Sequence, residues 1–234
     1  MAHLLPMKKL LLALVAFAAT IGTASAQFEI GLKVSPSITS LRAESPADRA
    51  FASAGSKLSF GGGVVVDYFF GENYAFSSGL LLSGKGGTIS YTDVTSPTNS
   101  APVMAKQKIT MQYLELPLSV KLFTNEVATD IRLYFQVGGS LNAPIGSRLN
   151  DSKFYKDPAT GQETKANDHV LFFDADALAG LGAEYQLATR TKAFAGLSYR
   201  RGLIDIDRYF EKTREFKDIT IKNSGFALDL GIKF

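Results

Sequence analysis

The chain has 234 residues, a formal charge of +3 and no cysteine. Without cysteine there is no disulfide framework, thiolate metal site, catalytic thiol or lipid-modified cysteine, so stability rests on backbone pairing and packing. The near-balanced charge gives no electrostatic reason for a nucleic-acid partner.

Met7, Lys8 and Lys9 supply a positive start, Leu10 to Ile21 an apolar run, and Ala24-Ser25-Ala26 a small-residue cleavage site. This is the pattern of a secretory signal peptide, with Met7 an alternative start because Met1 to Pro6 add nothing to it. The apolar run is short for a membrane-spanning helix, which argues against an uncleaved anchor. Cleavage is expected after Ala26. That leaves one domain, 27–234, with a net charge of +1 from 23 basic and 22 acidic residues.

Eight strand-like runs with two-residue alternation follow: Phe28 to Leu41, Lys57 to Phe70, Tyr74 to Tyr91, Lys106 to Phe123, Ile131 to Leu141, Leu171 to Leu187, Thr191 to Leu203 and Thr220 to Phe234. The last run is the clearest. Phe226, Leu228, Leu230, Ile232 and Phe234 share one face, and Ala227, Asp229, Gly231 and Lys233 the other. In the fourth run the phase slips between Tyr113 and Leu114, which reads as a β-bulge. Pro117 removes a ladder donor and predicts a local distortion beside Glu115.

Alternation alone does not say which face is outside; a soluble ligand-binding barrel would turn the oily face inward. Three features favour oily-side-out. The polar face carries Glu29, Asp67, Glu115, Asp174, Asp176, Glu184 and Asp229 beside Lys33, Lys85, Lys121, Arg132, Arg200 and Lys233, a set able to pair within a lumen. Glu115 is expected to pair with Lys121 or Arg132. Connections alternate between short (Gly71 to Asn73, Thr124 to Asp130, Ala188 to Arg190) and long (Arg42 to Ser56, Thr92 to Ala105, Asn142 to Val170, Ile204 to Ile219), as in outer-membrane barrels. Aromatic residues collect near the short-turn side: Phe28, Tyr68, Phe70, Tyr74, Phe76, Phe123, Tyr185, Phe194 and Phe234. They read as an interfacial girdle. The predicted fold is an all-β, eight-stranded antiparallel transmembrane barrel of up-and-down topology, in the bacterial outer membrane.

The first strand Ile30-Gly31-Leu32-Lys33-Val34-Ser35-Pro36, the stretch Gln112-Tyr113-Leu114-Glu115-Leu116-Pro117-Leu118-Ser119-Val120-Lys121 and the signal peptide ending at Ala26-Gln27 together resemble the PorT-like outer-membrane β-barrel family of Bacteroidetes-type bacteria, often labelled porin family proteins. The resemblance covers the mature chain and implies a location and a fold more firmly than a task. Phe234 also resembles the aromatic terminus by which barrel-assembly machinery recognises its clients.

Chemistry is sparsely supplied, since the mature chain has one histidine, His169. Asp168-His169 with Ser140 or Ser147 is the place to look for an enzyme, but nothing in the spacing joins them. Asp174 and Asp176 could bind a cation with Asp168, yet lumenal pairing explains them equally. Gly61-Gly62-Gly63 and Gly84 to Gly87 lack a phosphate-loop signature. The charge-dense stretch Ile204 to Ile219 suits a recognition surface or a solvated loop. No catalytic, cofactor-binding or metal residue is assigned. The expected role is structural or loop-binding, with outer-membrane lipid, the assembly machinery through Phe234 and an extracellular molecule as partners. Alternatives are a narrow channel past Asp67, Glu115 and Arg132, a secretion-system component, or a lipid-processing enzyme.

Overall fold

The computed structural model describes residues 27–45, 50–93, 103–156, 161, 163–208, 210 and 218–234. The signal-peptide segment, 1–26, lies outside them, as do residues 209 and 211–217 of the 204–219 stretch and the side chain of His169. Among the described residues, eleven strands run in the order β1 (Phe28–Glu44), β2 (Ala52–Gly55), β3 (Lys57–Gly71), β4 (Tyr74–Asp93), β5 (Val103–Ala128), β6 (Ile131–Leu149), β7 (Phe154–Lys156), β8 (Glu163–Lys165), β9 (Asp174–Ala188), β10 (Thr191–Gly202) and β11 (Thr220–Lys233).

Eight of them close into an antiparallel ring, β1-β3-β4-β5-β6-β9-β10-β11, whose last member pairs with the first. Partners followed around the ring from Glu29 through Asp67, Ser77, Ser119, Gly138, Leu178, Arg200 and Gly225 return to β1 at Thr39, ten residues further on. This stagger inclines the strands by about 40° and leaves an interior that side chains fill. The short β2 pairs with β4 beyond the top of β3, and β7 with β8 forms a separate ribbon in the loop after β6.

The outward face bears the apolar residues. Leu32 is 61% exposed and Phe226 66%, whereas Asp67 and Glu115 on the inward face are wholly buried. On β5 the outward apolar row runs from Leu114 to Leu122, nine residues, which matches the roughly 9–11 residues of a strand crossing a bilayer. β5 itself has 26 residues. The ring therefore extends well past its apolar belt at the long-loop end.

Three expectations are corrected. β6 continues to Leu149, so the first eight residues assigned to the longest loop belong to the wall. The alternation of β5 is unbroken, with Ile109, Met111, Tyr113, Glu115 and Lys121 all inward. Its apparent slip is a change in the polarity of the inward face. The register does shift beside Gln112 and Tyr113, but the extra residue is Ile145 of the partner strand β6. At Pro117 the β4–β5 ladder lapses between Ser78–Leu118 and Leu81–Glu115 with the register unchanged on either side, a missing donor without a bulge.

Candidate functional site: a sealed lumen

The interior divides into a floor, an ionic middle and an apolar upper plug. At the short-turn end, Lys233 is held between Glu184 and Asp67 and lies 3.6 Å from Glu29, while Lys192 pairs with Glu29. Lys121 reaches both oxygens of Asp67 at 3.1 and 2.9 Å. Beneath and between these charges lie Phe69, Phe123, Tyr134 and Phe194. The Lys233 ammonium stands 5.6 Å from the centroids of both Phe123 and Phe194, and Lys121 5.4 Å from Tyr134. Such cations gain from the ring faces as well as from the carboxylates. Glycine makes room for the rings. A Cβ on Gly196 would come 2.3 Å from the Tyr134 hydroxyl, and one on Gly231 2.4 Å from the Phe194 ring. Phe123 and Phe194 are thus lumenal, and only the other seven aromatic residues expected in the girdle keep an outward strand position.

In the middle, Lys33 pairs with Asp229 at 3.1 Å, and Ser35 donates to the same carboxylate at 2.6 Å. Glu115 pairs with Arg200 at 3.1 Å, which corrects the expected Lys121 or Arg132 partner. Arg132 sits too low for that. It closes the short-turn rim by donating to Thr124, Asn73 and Glu72. Higher up, Lys85 pairs with Asp176 and stands 4.0 Å from Asp174. Asn142 donates to Asp176 at 2.9 Å and Asn223 to Asp174 at 2.8 Å. Buried charge survives only when paired and hydrogen-bonded, and these side chains supply both conditions.

Tyr113 marks the upper boundary. Its hydroxyl accepts from Asn223 at 3.3 Å and donates to the Met111 sulfur at 3.1 Å, while Lys85 lies 5.0 Å from its ring centroid. Above it the strands contribute Leu41, Ile89, Tyr91, Ile109, Met111, Leu149 and Ile221 to a buried apolar cluster. The connections supply Phe51, Ala166, Val170, Ile206, Phe210 and Ile219 to it. The rings of Phe51, Tyr91 and Phe210 pack mutually with centroids 4.9–5.1 Å apart.

Little space remains. A cavity of about 30 Å³ lies among Ser35, Ser83, Lys85, Glu115, Arg200 and Asn223. A second of about 20 Å³ lies lower, beside Lys33, Lys121 and Asp229. These volumes accommodate one or two waters each.

Of the groups considered for catalysis, the side chain of His169 lies outside the described residues, and the two serines have other partners. Ser140 is buried and donates to Asp176 at 3.2 Å, and Ser147 donates to Asn167 at 2.7 Å. Asp168 is exposed on the one-turn 3-10 helix Ala166–His169, whereas Asp174 and Asp176 lie within the lumen. The plug is the part that sequence reasoning missed. Its signal was the change of hydrophobic parity within β5, repeated in β1, where Ile38 points out and Leu41 in, and in β11, where Phe226 points out and Ile221 in.

No curated protein matches the sequence significantly. Solved structures similar to the chain include neisserial surface protein A, 12% identical over 88% of this chain and 95% of that one with a TM-score of 0.46. The outer membrane protein OprG of Pseudomonas aeruginosa is 11% identical over 89% and 96%, TM-score 0.46. The attachment invasion locus protein Ail of Yersinia pestis is 12% identical over 89% and 99%, TM-score 0.37. The sequence profile of the outer membrane protein beta-barrel domain matches residues 19–208, and the chain belongs to that family.

Proposed function

We propose that this outer-membrane barrel is a sealed, non-enzymatic scaffold that anchors its long-loop end at the cell exterior for a structural or binding task. The observation carrying this reading is the filled lumen. Paired charges fill its lower and middle levels, and the apolar plug lies above them toward the long-loop end. Ions crossing the lumen would have to pass both fixed, already paired charges and an apolar aromatic cluster, which disfavours a diffusion pore despite the porin label. The Tyr113-Leu114-Glu115-Leu116-Pro117 run supports the finer placement among PorT-like proteins of Bacteroidetes-type bacteria, in which a part in protein secretion is the second reading. Cargo retained in cells after deletion would favour that reading.

Planar-bilayer recording on the refolded mature chain tests the seal. No stepwise conductance above the bare bilayer is expected, and reproducible ohmic channels in the wild type would overturn it.

A further inference from the structure

We infer that the outward face of β10, β11 and β1, where the apolar belt ends on the long-loop side, is a docking site for the phosphate headgroup of an anionic lipid of the outer leaflet. The inference rests on the orientation adopted above, with the long loops outside. The strand register builds the site. Tyr199, Phe226 and Ile38 are cross-strand neighbours in the last apolar row. Arg201, Ser224 and Ser40 form the next row, and Lys222 opposite Arg42 lies beyond it.

Tyr199 packs on Phe226 with centroids 4.7 Å apart, and its hydroxyl lies 3.3 Å from that of Ser224. An amphipathic ring in this position marks the boundary between acyl chains and headgroups. Arg42 extends from β1 across β11 and donates to the Gly202 carbonyl of β10 at 2.8 Å. That places its guanidinium beside the residue following Arg201. Three cations and two seryl hydroxyls are thus gathered in two successive rows of three adjacent strands.

No carboxylate among the described residues makes an ion pair with Arg42, Arg201 or Lys222, although every buried lumenal cation has one. Glu44, two residues beyond Arg42 on the same face, forms no bridge to them, and one Asp205 oxygen is taken by the backbone N–H groups of Asp207 and Ile221. The Arg42 Nε is buried without an acceptor. Like charges directly opposite on neighbouring strands are destabilising, so Arg42 facing Lys222 carries a cost that a bound anion removes. Arginine in particular suits phosphate, which it grips with two parallel hydrogen bonds. The height of the patch, immediately above Phe226 and Tyr199, selects a membrane lipid over a soluble polyanion.

The test places the mature chain in phosphatidylcholine nanodiscs doped with a bisphosphorylated glycolipid or with the same glycolipid dephosphorylated. Native mass spectrometry then counts the glycolipid retained on extraction. Wild type is expected to retain the phosphorylated form about tenfold better, and R42Q/R201Q/K222Q to lose that preference. A control with equal charge loss, K106Q/K108Q/R148Q, is expected to keep it. Absence of preference in the wild type, its survival in the first variant, or equal loss in the control would each overturn the proposal. A heat-modifiable band in semi-native gels confirms that each variant is a closed barrel. Should the first variant fail to fold, Arg201→Gln alone, at an exposed side chain, is expected to reduce the preference about threefold. Failure of the barrel reading would appear as loss of the heat shift in the wild type, an outcome separate from any lipid result.

Discussion

The belt and the extension above it are made from the same strands yet obey opposite polarity rules. Within the belt Leu114 to Leu122 of β5 face outward and Glu115, Ser119 and Lys121 inward. A few residues earlier on the same strand, Ile109 and Met111 face inward, and Lys106, Lys108 and Gln112 line the outward face. The inward–outward alternation of the strand does not change. What changes is the solvent. Where the surroundings are hydrocarbon, charge is tolerated only inside, in pairs; where they are water, burial of apolar groups again supplies the driving force. Tyr113 sits at the junction, its hydroxyl bonded to Asn223 on one side and to Met111 of the plug on the other.

Substitutions separate the two regimes. The largest effect is expected in the belt's interior. Lys233→Met leaves Asp67 and Glu184 without their shared cation, and should cost about 3–5 kcal/mol in equilibrium urea unfolding from lipid vesicles. Loss of less than about 1 kcal/mol would mean that the floor is hydrated rather than tightly paired. On the outward face the same substitution should differ by level. Leu230→Arg, at mid-belt, is expected to cost about 2–4 kcal/mol, and Gln112→Arg, at the edge of the extension, about 0–1 kcal/mol. Equal costs would remove the boundary. A similarly small effect is predicted at the junction, where Tyr113→Phe deletes the hydroxyl that links Asn223 to Met111. About 1 kcal/mol is expected, read from the same unfolding curves.

Much of the belt was legible in the sequence, because a period of two with one oily face survives any uncertainty about strand ends. Phe226 to Phe234 point outward and Ala227 to Lys233 inward as the alternation requires. The pairing within the lumen was not legible. Glu115 finds Arg200 rather than Lys121 because the stagger of the ring, absent from any one strand, decides which levels meet. Nor was the plug. Phe51 and Phe210 come from connections, and only closure of the ring brings them over Tyr91. The apolar residues at inward positions of β5 looked like a break in phase when the surrounding medium was assumed to be uniform along the strand.

Lys233 belongs to the final strand of the ring, and β11 is the partner that β1 awaits. Until that strand arrives, the first has an open edge, and Asp67 and Glu184, on strands made earlier, lack the cation they share. Closing the wall and neutralising the interior are therefore one event in the life of the chain. A polypeptide ending a few residues early would fail on both counts at once, presenting unpaired backbone and uncompensated charge to the membrane it has to enter.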